Sequence, residues 1–195
     1  MELRGDFSRM LPRLRQGRLQ QELLVKAARI KGAEAPTAVD CTAGLGEDSL
    51  LLAAAGFVVT LFERDQTIAA LLADALERAA ADPRLAEAVG RMTLVAGNSI
   101  TGLATLPEPP DVVYLDPMFP ARTKSAAVKK KFQLLHHLEQ PCEEEEALVA
   151  AALAAQPRKV VIKRPAKGAL LAGMKPSYSV AGKAVRYDVL VPPRP

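Results

Sequence analysis

The sequence predicts an α/β fold with a mostly parallel, doubly wound sheet and an antiparallel hairpin at its C-terminal end. Three observations carry this. Short apolar runs of strand length alternate with helical stretches from residue 37 to residue 162, the pattern of repeated β-α-β units with right-handed crossovers. The chain has 195 residues, 49% hydrophobic and 25% charged, which is one ordinary globular domain and excludes disorder, collagen-like repeats and coiled coil. Finally, the polar motifs fall at the ends of the expected strands, where open α/β sheets bind their ligands.

Residues 8–31 space Leu11, Leu14, Leu23, Leu24, Ala27 and Ala28 as one or two amphipathic helices, interrupted near Gly17 and stopped at Gly32. This gives a basic helical segment, residues 1–35, packed on the core, followed by a domain over residues 36–195. Thr37–Cys41 reads as the first strand. Ser49–Ala55 is a helix closed by Gly56, and Phe57–Phe62 is the second strand. Gln66–Ala80 is an Ala/Leu helix with a breaker at Pro83. Met92–Val95 and Val112–Leu115 are expected as buried strands. Glu143–Ala155 is helical, with glutamates where they favour the positive end of the helix dipole. Lys159–Ile162 is a fifth strand, and Ser177–Ala181 and Val185–Val191 flank Gly182-Lys183 as a hairpin.

Charge is unevenly distributed. The net charge is +4, but residues 1–31 hold eight basic side chains against three acidic ones, and residues 158–195 hold nine against Asp188 alone. The middle of the chain is therefore acidic, and the basic ends permit an acidic partner such as nucleic acid. Aromatic residues make up 4% of the chain and Trp is absent, which excludes a surface of many stacked rings. Cys41 and Cys142 lack metal-ligand spacing and fit a reducing compartment. No apolar run reaches membrane-spanning length and no signal-peptide core follows the basic N-terminus, so a cytoplasmic protein without a metal site is expected.

The chemistry begins where the first strand meets Asp40-Cys41-Thr42-Ala43-Gly44-Leu45-Gly46-Glu47-Asp48. Gly44 and Gly46 permit a tight turn and close approach of a ligand to the backbone. The third glycine of a dinucleotide fingerprint and the Gly-Lys-Ser/Thr of a Walker loop are missing. Glu47 and Asp48 would repel a pyrophosphate and suit a cationic ligand such as the methionine end of S-adenosylmethionine. Glu63 ends the second strand, where an acidic side chain accepts ribose hydroxyls of an adenosine cofactor; nicotinamide and S-adenosylmethionine remain open here. Asn98 and Ser99, after the third strand, stand where an adenine edge could be read.

Asp116-Pro117-Met118-Phe119-Pro120 separates the two cofactors. The nitrogen of an exocyclic base amine is a poor nucleophile because its lone pair is delocalised into the ring. A carboxylate and a carbonyl held by proline can accept its hydrogens and align it with an electrophilic methyl, while Phe119 offers a stacking face. Arg122, Lys124 and Lys129 to Lys131, with Lys163 and Arg164 after the fifth strand, are expected on the same rim, holding phosphates. His136 and His137 are assigned no chemistry. A nicotinamide-dependent oxidoreductase, a non-catalytic RNA-binding assembly factor and a methyltransferase for another exocyclic amine of RNA or DNA are the competing readings.

Together the glycine turn 40–48, Phe62-Glu63-Arg64, Leu115 to Pro120, Lys124 to Lys130 and Val161-Ile162-Lys163-Arg164-Pro165 resemble the bacterial RsmJ family. These are 16S ribosomal RNA guanine methyltransferases that use S-adenosylmethionine to modify a 2-amino group. The resemblance covers about residues 6–191 and implies a class I methyltransferase, Rossmann-like, with a seven-stranded sheet formed by residues 36–195. It also implies 16S rRNA or the small ribosomal subunit as partner of a monomeric enzyme. The family's cofactor contacts then fall on Glu47, Asp48, Glu63, Arg64, Asn98, Ser99 and Asp116, to which the reading of the glycine turn adds Asp40, Gly44 and Gly46; the strand-end motif itself assigns catalysis to Asp116, Pro117 and Phe119. Two positions depart from the family pattern: Glu47, where members often carry Arg, and Asn98, where they often carry Ser.

Overall fold

Apolar runs at strand spacing build the sheet, and alternation along each strand decides what faces which helix layer. In the computed structural model, which describes residues 5–117 and 144–193, the strands are β1 Thr37–Asp40, β2 Val58–Glu63, β3 Met92–Ala96, β4 Val112–Leu115, β5 Lys159–Pro165, β6 Tyr178–Ala181 and β7 Val185–Leu190. They form one sheet of order β3-β2-β1-β4-β5-β7-β6. β1 to β5 pair in parallel, and β7 runs antiparallel to both β5 and β6. The C-terminal hairpin is therefore present, and β7 alone opposes the common strand direction. Strand order reverses between β1 and β4, so the ends of those strands flank the crevice in which open sheets bind ligands.

Helices cover both faces. On one side lie α1 Leu11–Leu14, α2 Leu23–Ala28, α3 Glu47–Ala54, α4 Gln66–Ala80 and α5 Ala86–Val89, packed on Ala38, Val59, Leu61, Val112, Tyr114, Val161, Tyr187 and Val189. On the other lie α6 Ser99–Leu103 and α7 Glu145–Ala154, packed on Val39, Phe62, Val113, Leu115, Val160, Ile162 and Leu190. The assignment follows residue parity. The same parity carries Asp40, Glu63 and Lys163 to the α3 side, and Arg164 and Asp188 to the α7 side.

The N-terminal segment is more broken than its spacing suggests. A 3-10 turn at Phe7–Met10 runs into α1, with Pro12 at its start, and a second turn at Leu19–Gln21 precedes α2. Gly17 and Gly32 adopt positive φ, 85° and 79°, as chain breakers do. Phe7, Met10, Leu19, Leu24, Ala27 and Ala28 are buried in the same core as α3 and α4. α4 has the bounds its pattern predicts, with the Asp65 carboxylate accepting from Ile68 N at 3.0 Å as N-cap.

Three differences concern strands and helices. β3, expected as buried, is the edge strand; it pairs with β2 alone and its residues are exposed or half-buried. α6 is a helix for which the sequence gives no expectation, and its Gly102 is required because a Cβ there would collide with the Phe62 ring. β5 extends three residues beyond Ile162, since Lys163, Arg164 and Pro165 pair with Tyr187, Arg186 and Val185 of β7. That extension decides the fate of two cations at the site.

Candidate active site

The ends of β1, β2 and β4 are stitched together by the chain's own polar groups. Asp40 is 1% exposed; its Oδ1 accepts from Thr42 N at 3.0 Å and its Oδ2 from Ser49 Oγ at 2.5 Å. Burial pushes this carboxyl up to about 7, against its hydrogen bonds from Ser49 and Thr42. Thr42 Oγ1 in turn accepts from Asp116 N at 2.7 Å, and Cys41 N donates to Tyr114 O at 3.0 Å. Thus β1 and β4, adjacent at the point where strand order reverses, hold each other's exits.

The turn between them is fixed from β2. Gly44, at φ 54°, donates its N–H to Glu63 Oε2 at 2.9 Å, and Asp65 N donates to Oε1 at 2.9 Å. Glu63 is 7% exposed, and burial raises its pKa despite both bonds. Each oxygen keeps acceptor capacity, since a carboxylate has about four lone-pair sites. Gly46, at φ 75°, ends the turn as N-cap of α3.

At the centre one ammonium serves two carboxylates. Lys163 Nζ lies 2.6 Å from Asp48 Oδ2 and 2.8 Å from Asp116 Oδ2. Tyr114 Oη also donates to Asp48 Oδ2, at 2.6 Å. Among the described residues, the Oδ1 atoms of Asp48 and Asp116 accept no hydrogen bond. Burial would lower the Lys163 pKa, but the Asp48 and Asp116 carboxylates outweigh it and hold it above its ordinary value. Burial raises the Asp116 pKa, and Lys163 opposes the rise. Burial and the nearby Asp48 carboxylate raise the pKa values of both Tyr114 and Tyr187, whose rings lie 6.5 Å apart beneath this cluster.

An acidic crevice at a strand-order reversal, with an Asp-Pro exit from β4, is the geometry of a class I methyltransferase. Comparison with known proteins agrees. The model of the SAM_MT family of SAM-dependent methyltransferases matches residues 2–192. The ribosomal RNA small subunit methyltransferase J of Thioalkalivibrio sulfidiphilus (strain HL-EbGR7) is 50% identical over 175 residues, 89% of this chain and 69% of the relative. This chain belongs to the methyltransferase J family.

A methyltransferase J from Neisseria meningitidis is 40% identical over 190 residues, 96% of this chain and 75% of its own. The crystal structure of the SAM-dependent methyltransferase NGO1261 from Neisseria gonorrhoeae superposes with a TM-score of 0.80 at 34% identity, covering 98% of this chain and 75% of that one. The rRNA methyltransferase AviRa from Streptomyces viridochromogenes shares the fold, at TM-score 0.57 and 16% identity over 89% of this chain and 84% of that one. The chain spans about two thirds to three quarters of the length of its methyltransferase J relatives. Family membership sets aside the nicotinamide oxidoreductase and the non-catalytic assembly factor, and the cofactor of this methyltransferase J family is S-adenosylmethionine.

Against this family frame, several sequence expectations need correction. Lys163 and Arg164 were both expected on a phosphate-binding rim. Because β5 continues through them, Lys163 turns toward α3 and is drawn between two carboxylates, while Arg164, 4% exposed on the opposite face, donates Nε to Ala169 O at 2.7 Å. Gly46 does not clear space for a ligand: a Cβ there would lie 2.7 Å from Leu72 Cδ1 and 3.2 Å from Phe7 Cζ, so its own core fills that space. Asp40 has both oxygens engaged inside the fold. Asn98 caps α6, its Oδ1 accepting from Ile100 N at 2.9 Å, and Ser99 is buried. Glu47 and Arg64 are exposed, and Pro117 is buried. Phe119, Arg122, Lys124, Lys129, Lys130, Lys131, His136, His137 and Cys142 lie outside the described residues.

Sequence reading missed Thr42, Ser49, Tyr114 and Tyr187. Tyr114 and Lys163 could have been found together: both have the parity of the α3-facing residues on strands that end at the crevice. Lys167 and Lys183 are exposed and make no hydrogen bond or ion pair among the described residues. They stand just beyond β5 and between β6 and β7, on the crevice side of the sheet, and are better placed than Lys163 and Arg164 to meet an anion.

Proposed function

We propose that this chain methylates the exocyclic 2-amino group of a guanosine in small-subunit ribosomal RNA. The observation that carries the reading is the Asp116-Pro117 exit of β4: its carboxylate is held by Lys163 through one oxygen, and the other accepts no hydrogen bond among the described residues, beside the reversal point of a methyltransferase J sheet. The names of the relatives, ribosomal RNA small subunit methyltransferase J, support rRNA as the substrate class. The resemblance carried by the sequence motifs supports the guanine 2-amino group as acceptor.

The donor set fits S-adenosylmethionine. Glu63, Asp48 and Asp116 stand at neighbouring exits with Lys163 as the cation among them, an acidic environment suited to a ligand bearing a sulfonium and an ammonium. When bound, that cofactor supplies an electrophilic methyl group on sulfur. The Gly44 turn and Asp48 would hold its methionine portion, Glu63 its ribose hydroxyls, and the Asn98-Ser99 loop its adenine. Asp116 Oδ1 would accept an N–H of the guanine amine and turn the nitrogen toward the methyl, with the carbonyl of Pro117 as second acceptor. As the nitrogen gains the methyl it loses a proton, and a carboxylate whose pKa is raised by burial is suited to accept it at Oδ1. Phe119 would stack on the base, and Arg122, Lys124, Lys129 and Lys130 would hold phosphates. The enzyme would act as a cytoplasmic monomer. No helix among the described residues is long and apolar enough to cross a membrane.

Calorimetric titration with S-adenosylmethionine and its demethylated product tests the cofactor. Transfer of labelled methyl to 16S rRNA from a strain lacking the gene tests the reaction. Binding and incorporation are expected; absence of both would overturn the reading.

A further inference from the structure

We infer that Lys163 is a positioning residue for methyl transfer: its ammonium ties Asp48 on the cofactor side to Asp116 on the acceptor side, presenting Asp116 Oδ1 to the amine. The inference rests on the reading of Asp116 given above. It replaces a phosphate-binding role for this lysine with one that never touches RNA.

The geometry is specific. Both bridged oxygens lie within 2.8 Å of one nitrogen, and the Lys163 side chain is 25% exposed. An ammonium already paired with two half-buried carboxylates is a poor phosphate ligand, since the phosphate would have to displace both partners. Each aspartate has a second anchor: Tyr114 Oη donates to the Asp48 carboxylate at Oδ2, and the Asp116 backbone N–H donates to Thr42 Oγ1. With one oxygen of Asp116 fixed and its backbone fixed, rotation about the remaining side-chain bonds is restricted and Oδ1 is left for a substrate.

Charge points the same way. Without the ammonium, Asp48 and Asp116 would face each other as like charges, and the Asp116 pKa would rise further. The groups acting on Asp116 are Lys163 and Arg164 of β5 and Asp48 of α3. Asp40 of β1, Tyr114 of β4 and Tyr187 of β7 also interact with it. Among the described residues, Lys163 is the cation in hydrogen-bond contact with the Asp116 carboxylate.

The test compares Lys163→Met and Lys163→Arg with the unaltered enzyme. Lys163→Met is expected to lower kcat about 100-fold, with KM for rRNA unchanged within about threefold, and to move the acid limb of the pH profile to higher pH. Lys163→Arg is expected to restore part of kcat and return the limb. A raised KM with a weaker salt dependence and unchanged kcat would overturn the inference in favour of a phosphate contact. Loss of kcat with an unmoved acid limb would overturn it in favour of a merely structural ion pair. Carboxyl NMR titration of Asp116 in the free protein reads the same coupling without turnover: its pKa should rise in Lys163→Met. Should that variant not fold, Lys163→Gln, which also removes the charge, serves for the titration, where an unchanged Asp116 titration overturns the inference. Absence of methyl transfer by the unaltered enzyme would strike the proposed function alone.

Discussion

Ser49 donates its hydroxyl to Asp40 Oδ2 at 2.5 Å, joining the first turns of α3 to the end of β1 beneath the glycine turn. The bond is fully buried, and the carboxyl it meets has a pKa of about 7 instead of 3.8. The turn that builds the crevice therefore rests on an acid that titrates near neutrality.

This gives a stability prediction with a definite sign. The folded protein keeps the Asp40 proton between pH 4 and 7, where the unfolded chain releases it, so this group's contribution to stability falls as pH rises through that window and levels off above it. Asp40→Asn preserves an acceptor for Thr42 N and an uncharged partner for Ser49, but removes the titration. From pH 5 to 7 the unaltered protein should lose stability relative to Asp40→Asn, by up to about 1.4 kcal/mol per pH unit. Urea unfolding at several pH values checks this. Glu63 and Asp116 are common to both proteins, and parallel profiles would contradict the assignment.

Gly46→Ala is expected to destabilise the fold by about 2–5 kcal/mol. The left-handed φ of 75° costs an alanine about 1–2 kcal/mol, and its Cβ would press on Leu72 and Phe7 with overpacking strain of about 1–3 kcal/mol. Because Phe7 belongs to the N-terminal segment, proteolysis of that segment should accelerate along with global unfolding by denaturant. A change below about 0.5 kcal/mol would show that the crowding is relieved without cost.

Lys167→Glu with Lys183→Glu is expected to raise KM for rRNA and to flatten the dependence of affinity on salt by about one unit of slope per lysine. kcat should be unchanged, because neither side chain is among the residues around Asp116. Filter binding across a salt series checks it; identical slopes would place the RNA elsewhere.

The sheet was legible in the sequence because each central strand is a short apolar run bounded by turn residues, and the α4 pattern gave its bounds outright. Less legible was anything set by pairing between distant strands. Lys163 and Arg164 look alike at the end of an apolar run, and it is the pairing with Tyr187 and Arg186 of β7 that keeps both in the strand, where alternation sends them to opposite faces. Glu63 and Asp116 were found where strand-end chemistry would place them. Tyr114 and Ser49 were not, since a tyrosine inside a buried strand and a serine in a helix carry no signal until Asp48 and Asp40 are known to meet them. The need for Gly102 in α6 is likewise invisible locally, because the Phe62 ring that requires it lies on another element.

The most direct test of the central claim maps the methyl group and asks whether Asp116 directs it. 16S rRNA from a strain lacking the gene would be incubated with S-adenosylmethionine and either the unaltered protein or Asp116→Ala, then digested and read by mass spectrometry. The unaltered protein should add one methyl to the 2-amino group of a single guanosine, and Asp116→Ala should add essentially none while still binding the cofactor. A methyl on another atom, or equal modification by both proteins, would contradict the account.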